Sequence, residues 1–246
     1  MTEETDFEIV EDHRVRVARQ RRSRMQTRIL DAVMITVAAR LKEDLPTVDD
    51  VIDQADISRA TFYKYFNSVE EAIGVYGHKL MEEMFSSLSA MFTDRDDELI
   101  RMTTAIKLFL MRSVIDQKWG AFLSRTAHLA RETELVERVS QYLSGAREKE
   151  LVNFGNPQAA ASLVIGSVLE AVRHVSRTDL RSREYVEEVT SMILLGVGLN
   201  RSDADQLIRD RAIYIRGLAP DRLVWWRDPW SRASADDANL EVAAVS

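Results

Sequence analysis

Residues that form turns are scarce in this sequence, which has nine glycines and four prolines among its 246 residues. A β-rich fold needs a turn after each short strand, so this scarcity favours long helices. Hydrophobic residues make up 46% of the chain, and the length allows one large domain or two smaller ones, each with its own core. The sequence therefore predicts an all-α protein.

The sequence lacks the features that mark several other classes of protein. It has no cysteine, which excludes disulfides, thiolate catalysis and cysteine-rich zinc sites, and its four histidines lack the spacing of metal ligands. No apolar run reaches the roughly 18 residues of a membrane span, and the acidic N-terminus is unlike a signal peptide. We expect a cytoplasmic protein with no cofactor, no metal and no membrane partner.

Charge is distributed unevenly over the first 66 residues. Residues 1–12 carry six acidic and no basic side chains, whereas residues 13–66 carry eleven basic and seven acidic ones. Seven arginines lie between positions 14 and 28 without an intervening acid. Such a cluster either stays solvated as a mobile tail or binds phosphate groups. We interpret residues 1–22 as a flexible arm, acidic at first and then basic.

Apolar residues recur at helical spacing from about Ser23 to Lys42 and predict a first amphipathic helix. Two short helices are expected to follow, one capped by Thr47 and the other by Ser58, with Asp56 in a left-handed turn between them. A helix, a tight turn and a second helix behind a supporting helix form the helix-turn-helix of DNA-binding proteins.

The stretch DISRATFYKYFNS, residues 56–68, puts four aromatic rings beside two cations. Phe62 and Phe66 are four residues apart, so on a helix both can face inward. The outward-facing residues are then Arg59, Ala60, Thr61, Tyr63, Lys64 and Tyr65. The first three suit base edges and thymine methyl groups, and the last three can donate hydrogen bonds to phosphates. Alternatively, all four rings belong to the core and the cations are merely solvated.

The same region resembles the TetR/AcrR family of bacterial transcriptional regulators. The resemblance rests on RILDAV (28–33), PTVDDV (46–51) and ADISRATFYKYFNSVEEAI (55–73). It implies a homodimer whose N-terminal helix-turn-helix domains bind a palindromic operator on double-stranded DNA, with a small-molecule effector held in a larger helical domain. By position, the DNA-contacting sites of the family fall on the six outward-facing residues and on Val48.

The sequence departs from the family pattern at four places. Asp56 stands where glycine is usual in the turn, Ile52 replaces a small residue, and Val69 replaces a lysine that commonly contacts phosphate. The second helix also places three carboxylates on a surface that approaches the DNA backbone in the family: Asp49, Asp50 and Asp53. The basic arm offers replacement charge. Its residues assigned to DNA binding are Arg21, Arg22 and Arg24.

The predicted organisation has four parts. They are the arm (1–22), a TetR-type DNA-binding domain (23–82, motif about 47–66), an effector-binding and dimerisation domain (83–220) and a tryptophan-rich C-terminal segment with a tail (221–246). Segments 156–177 and 191–200 are rich in small residues. By resemblance they form the dimer interface, and alternatively they fill the core of the monomer.

The effector is expected to be mainly apolar with one or two polar anchors. Candidate contact residues are Phe109, Met111, Trp119, Phe122, His128, Tyr142 and His174. Each of them is alternatively a plain core residue. The stretch LVWWRDPWSR, residues 223–232, is expected to dock on its own subunit or on the dimer partner, because exposed tryptophans are costly in water. Recruitment of another protein is the alternative.

These features predict a ligand-responsive transcriptional repressor that a small molecule releases from its operator. Catalysis is not expected, because the sequence has no glycine-rich phosphate loop, no GxSxG elbow and no histidine-bearing metal motif. The alternative is a helical ligand-binding or adaptor protein that has lost DNA binding. Val69 and the acidic second helix are changes that such a loss would leave.

Overall fold

The structure, a computed structural model, describes residues 13–39, 44–126, 133–178 and 182–231. Within these ranges the backbone forms ten helices and no strand, which confirms the predicted all-α fold. The helices are α1 (His13–Ala39), α2 (Val48–Ala55), α3 (Arg59–Tyr63), α4 (Val69–Met91), α5 (Glu98–Ile115), α6 (Gln117–Thr126), α7 (Thr133–Glu148), α8 (Pro157–Thr178), α9 (Arg183–Gly196) and α10 (Arg201–Arg222).

The chain divides into two compact units, Met1–Ile73 and Gly74–Ser246. The division falls within α4, whereas the sequence analysis placed a boundary after residue 82. In the first unit, α1 packs on α2 and α2 packs on α3. Six core residues of this unit are at most 2% exposed: Ile29, Val33, Val37, Val51, Phe62 and, just after α3, Phe66. The predicted inward orientation of the two phenylalanines is confirmed.

Helix α1 begins at His13, whereas the sequence analysis predicted a start near Ser23. The basic part of the predicted flexible arm is therefore helical, and that prediction was wrong for residues 13–22. The segment contains no glycine or proline, and arginine, glutamine and alanine are good helix formers, so the helix continues despite its charge. The acidic residues 1–12 lie outside the described residues.

Helix α5 is the central helix of the second unit. It packs against α6, α7, α8, α9 and α10, and 13 of its 18 residues are buried. A helix buried on all sides needs partners for its polar groups. The hydroxyls of Thr103 and Thr104 donate to carbonyls of the preceding turn at 2.8 Å, and Ser113 does the same at 2.7 Å. These bonds let α5 carry hydroxyls inside the core.

Lys107 is a charged residue of α5 that lies 2% exposed in the core. Burial lowers the pKa of its ammonium group from 10.5 to about 8, against a smaller opposite effect of Glu187 on α9. Nearby Arg183 lowers the pKa further. Near neutral pH the folded protein therefore holds a largely protonated lysine in an unfavourable environment.

Replacing Lys107 with methionine should stabilise the protein below pH 8. Between pH 8 and 10.5 Lys107 is protonated in the unfolded chain and neutral in the folded protein. The free energy of unfolding of the wild type therefore rises with pH relative to that of Lys107→Met, by about 3 kcal/mol at most. Denaturant unfolding at several pH values measures this difference. Lys79→Met, at an exposed lysine, is the control. A difference that is flat with pH would contradict the prediction.

Helix α8 is long and apolar enough to cross a membrane by length and hydropathy alone, a test that core helices also pass. Its buried face, which includes Val164, Val168 and Val172, packs within the second unit. Its other side includes exposed apolar as well as polar residues. Leu163 is 42% exposed there, and Met192 of the neighbouring α9 is 62% exposed.

The C-terminal segment docks on its own subunit, which is one of the two docking sites that the sequence analysis predicted. Leu223 is buried, and the Trp225 indole N–H donates to the Ser87 hydroxyl at 2.9 Å. The Arg112 guanidinium lies 4.7 Å from the centroid of the Trp225 ring. Arg222 donates to the Ala90 carbonyl at 2.6 Å. The segment therefore binds α4 and α5 through a defined set of polar and cation–π contacts.

Replacing Trp225 with alanine should destabilise the protein. The change removes a hydrogen bond, a cation–π contact and apolar burial, together about 2–4 kcal/mol. Thermal unfolding should show Tm lower by about 5–15 °C for a chain of this size. Val224→Ala is the matched control, because Val224 is fully exposed next to Trp225. Truncation after Pro220 should also lower Tm, and unchanged melting of both altered proteins would contradict docking.

Candidate nucleic-acid interface and effector cavity

The turn between α2 and α3 is fixed by side-chain hydrogen bonds. At the start of α2, Thr47 and Asp50 form a reciprocal capping box. At its end, Asp56 adopts the predicted left-handed conformation, with φ 49° and ψ 58°. Arg28 of α1 donates to both the carbonyl and the carboxylate of Asp56 at 3.1 Å. This pairing gives the turn an anchor on α1 that glycine could not provide.

Helix α3 presents most of its predicted DNA-contacting residues on its outer side. Ser58 caps the helix by accepting from the backbone N–H of Thr61 at 3.1 Å. Arg59, Ala60, Tyr63 and Lys64 are exposed. Thr61, Tyr65 and, at the start of α2, Val48 are half-buried. The outer side of α3 is thus open, while Phe62 is fully buried on the opposite side.

Arg59 is held by a carboxylate that the sequence analysis treated only as unfavourable charge. Its guanidinium donates to Asp49 of α2 at 2.5 Å, and both side chains are more than half exposed. The hydrogen bond and the charge of Asp49 raise the pKa of Arg59. Arg59 must leave Asp49, or share it, before both of its outer nitrogens can contact a guanine edge.

Basic side chains meet at an open cleft between α1 and the end of α3. The cleft is lined by Val17, Ala18, Arg21, Arg22, Met25, Lys64 and Tyr65. Arg21, Arg22 and Lys64 thus face one space, and the described residues that line it include no carboxylate, an arrangement suited to a phosphate. Arg24 lies elsewhere, in a depression that it shares with Arg28 and Asp31. The structure brings together two of the three assigned arginines.

Val69 begins α4 as a core residue and is 3% exposed. Acidic residues surround this helix start: Glu71 accepts from the backbone N–H of Asn67 at 2.6 Å, while Ser68 caps the helix. Hydrogen bonds from its own backbone and from Ser68 lower the pKa of Glu70. The start of α4 therefore presents no basic side chain at the position of the family's lysine.

The second unit contains an apolar cavity of about 140 Å³. Helices α4 to α8 line it with side chains such as Phe85, Phe109, Leu123, Tyr142 and Val168. Among the 16 lining residues that lie in the described ranges, Arg138 and Tyr142 are the ones with polar side-chain atoms. The space is open on one side, where Val136 is 49% exposed, and a lining of aliphatic and aromatic groups with a few polar atoms is typical of small-molecule sites.

Two of the seven predicted effector residues line this cavity, Phe109 and Tyr142. Three others are buried outside it: Met111, Trp119 and Phe122. Met111 follows Phe109 by two positions, which places it on another face of α5. Trp119 forms a layer behind Phe109, with ring centroids 6.0 Å apart, and Phe122 packs edge-on against Tyr76 at 5.1 Å.

The structure describes one of the two histidines predicted to contact the effector. His174 is exposed beside Tyr185 and does not line the cavity, while His128 lies outside the described residues. Sequence reasoning missed Arg138 and the valines at 164 and 168. The sequence does contain a signal for them. Arg138 and Tyr142 are four residues apart on α7, and Val164 and Val168 are four apart on α8, so each pair shares one face of its helix.

An exposed apolar face covers parts of α8 and α9. Leu163 and Met192 are exposed on it, and Gly166 has open space where a side chain would start. A Cβ atom at Gly196 would lie 2.6 Å from the Leu163 side chain, so Gly196 lets the two helices pack closely. This face, which we call the α8–α9 face, has the small and aliphatic character of a helix-packing surface.

No protein-family model matches the sequence, and no curated protein matches it significantly. Solved structures do match in three dimensions. Ligand-free RolR, also solved with resorcinol, matches at TM-score 0.58 with 19% identity, covering 74% of this chain and 96% of that one. A γ-butyrolactone receptor (ArpA-like protein) matches at TM-score 0.60 with 15% identity, covering 80% and 99%.

A third structure, the transcriptional regulator FadR from Bacillus subtilis in complex with stearoyl-CoA, matches at TM-score 0.54 with 14% identity, covering 70% and 98%. These proteins are TetR-family regulators. The chain has the TetR-like fold. At these identities the match concerns the fold, and it agrees with the resemblance of residues 28–73. The predicted helix-turn-helix corresponds to α2 and α3, with α1 packed on α2.

Proposed function

We propose that the protein is a ligand-responsive transcriptional repressor that binds a palindromic operator as a homodimer. The observation that carries this proposal is the open outer side of α3, where Arg59, Ala60, Tyr63 and Lys64 are exposed on a helix fixed by buried Phe62. Short helices presented in this way read the major groove. The solved structures with this fold are transcriptional regulators rather than enzymes, which supports the same class of function.

The residues divide into those that read bases and those that bind phosphates. Arg59, Ala60 and Thr61 begin α3 and contact base edges. The residues that position the backbone of the duplex are Tyr63, Lys64, Tyr65, Val48, Arg21, Arg22 and Arg24. In this proposal the basic side chains of the cleft between α1 and α3 supply the positive charge that a lysine supplies in the family at position 69. This chain has the buried Val69 there.

The apolar cavity is the effector site in this proposal. Two solved structures with this fold hold small molecules, resorcinol in RolR and stearoyl-CoA in FadR, which supports a small-molecule ligand for this chain as well. An effector that binds one conformation of the dimer better than the other shifts the population and so changes operator affinity. We propose that the bound effector releases the operator.

A helical ligand-binding protein without DNA binding remains the rival function, favoured by Val69 and by the Arg59–Asp49 ion pair. Operator selection distinguishes the two. Genomic fragments that the protein retains at low salt would be sequenced and their affinity measured against salt concentration. The logarithm of the affinity should fall linearly with the logarithm of the salt concentration, because binding to phosphates releases counterions. A protein that retains no duplex at low salt would be the ligand-binding protein instead.

Replacing Arg59 with alanine should weaken operator binding and relax its specificity. Loss of a base contact costs about 1–3 kcal/mol of binding free energy. It also reduces the difference in affinity between the operator and unrelated DNA. Arg209→Ala removes the same charge from an exposed site on α10 and should leave both affinities unchanged. If Arg59→Ala lowers both affinities equally, Arg59 binds phosphate rather than a base.

Replacing Asp49 with asparagine should raise operator affinity, by about 3–10-fold at low salt, because Arg59 is freed and one repulsive carboxylate is removed. Asp53→Asn is the matched control: it removes the same charge from an exposed position of α2 and leaves the Arg59–Asp49 pair intact. Fluorescence anisotropy with the selected operator compares the two. Equal gains would show that the pair does not restrain Arg59.

The α8–α9 face is the proposed dimer interface. Met192→Glu should produce monomers, because an unpaired charge in the centre of an apolar interface is costly. Ile213→Glu is the control, since Ile213 is an apolar residue 73% exposed on a different helix, α10. Sedimentation velocity measures the mass of each protein. A monomeric wild-type protein at micromolar concentration, or dissociation by Ile213→Glu alone, would contradict this interface.

A further inference from the structure

We propose that the acidic N-terminal segment, residues 1–12, docks in the cleft between α1 and α3 and competes there with the phosphates of DNA. The inference rests on the proposed function, because it takes the cleft as part of the nucleic-acid interface, and it names a regulatory partner for that site. Its basis is the charge of the cleft and of the segment, the apolar groups that both contain, and the length of chain that joins them.

The cleft combines positive charge with an apolar lining. Three of its lining side chains are exposed cations, those of Arg21, Arg22 and Lys64. Apolar side chains line the same space, and they include half-buried Val17 and Met25. A DNA phosphate matches the cations alone, whereas an acidic peptide that carries apolar side chains matches both kinds of group. The composition of the cleft therefore fits a partner with carboxylates and hydrophobic side chains.

The first 12 residues of the chain, MTEETDFEIVED, have that composition. They contain six acidic side chains and no lysine or arginine. Phe7, Ile9 and Val10 lie among acidic neighbours in the stretch DFEIVED, residues 6–12. Carboxylates form charge-assisted hydrogen bonds with guanidinium and ammonium groups, and apolar side chains gain from contact that removes their surface from water. The segment and the cleft are thus complementary in both respects.

The segment is long enough to reach the cleft. It ends directly before His13, the first residue of α1. A helical rise of about 1.5 Å per residue puts Arg21 and Arg22 about 12–14 Å along α1 from that point. The residues from Phe7 to Asp12 span up to about 20 Å when extended. That length covers the distance even though the chain must first turn back along α1.

Attachment to the same chain favours this contact. A short tether presents the segment to the cleft at an effective concentration on the order of millimolar, so a contact that is weak between separate molecules is populated. DNA must displace the segment before its phosphates contact Arg21, Arg22 and Lys64. Cations that carboxylates already neutralise also release fewer counterions when DNA binds. The docked segment therefore lowers both the operator affinity and its dependence on salt.

Carbodiimide cross-linking of the full-length protein without DNA tests the contact directly, because this reagent joins a carboxylate to a lysine amine only where the two meet. Mass spectrometry of tryptic peptides should find residues 1–14 joined to Lys64 of the cleft at least about fivefold more often than to Lys79, an exposed lysine of α4. The Lys149–Glu98 ion pair, at 2.5 Å, is the positive control for the reaction. The link to Lys64 should disappear in about 0.5 M salt, which screens exposed charges.

Operator affinity then distinguishes docking from simple repulsion. Replacing Phe7, Ile9 and Val10 together with serine keeps every acid of the segment and removes its large apolar groups. Docking predicts that this triple variant binds the selected operator about 3–10-fold more tightly at low salt, with a steeper salt dependence. Repulsion between the acids and DNA at long range predicts no change. Val224→Ser, at a fully exposed position, is the control and should leave the affinity unchanged.

The docking and the regulatory function can fail independently. Suppose that the selected operator binds, but Lys64 gives no more cross-link than Lys79 or the triple variant binds the operator no more tightly than the wild type. The docking is then wrong and the regulatory function stands. If residues 1–14 are joined to Lys64 and no duplex is retained at low salt, the segment does occupy the cleft, while the regulatory function and the competition with DNA are wrong.

Discussion

Burial of Phe62 and Phe66 is the interaction on which the nucleic-acid interface depends. A five-residue helix is not stable in isolation, since forming its first turn costs more than its few hydrogen bonds return. Each fully buried phenylalanine contributes about 1.5–3 kcal/mol, which offsets that cost and fixes the rotation of α3. With these rings inward, Tyr63 and Lys64 lie on the outer side of the segment, and Tyr65 is half-buried. The exposure of Tyr63 and Lys64 is thus a consequence of core packing.

Local signals in the sequence were sufficient to predict the framework of the first unit. Thr47 and Ser58 cap helices because their hydroxyls accept from backbone N–H groups three residues later, and Asp56 tolerates a left-handed turn. The Arg59–Asp49 pair was not predictable, because it joins residues ten positions apart through the geometry of the turn. The early start of α1 was missed since dense positive charge was taken to oppose helix formation.

The second unit was harder to predict because its cavity depends on how five helices pack. Periodicity identifies inward-facing residues but does not distinguish those that line a cavity from those that pack in a filled core. Phe109 lines the cavity, whereas Met111 and Phe122 are also buried and do not. Helix α8 also serves two surfaces with adjacent residues: Val164 and Val168 line the cavity, while Leu163 is exposed on the α8–α9 face. In the proposed regulator, one helix thus carries both the effector site and the dimer interface.

The docked C-terminal segment places a second indole beside a guanidinium that already lies near Trp119 of α6. Arg112 lies 4.7 Å from the ring centroid of Trp225 and 5.9 Å from that of Trp119. Trp119 in turn contacts Phe109, a wall of the cavity. Intrinsic emission from these indoles is consequently an optical signal of what happens at that wall. The molecule contains its own spectroscopic probe, and titrations followed by it require no attached dye.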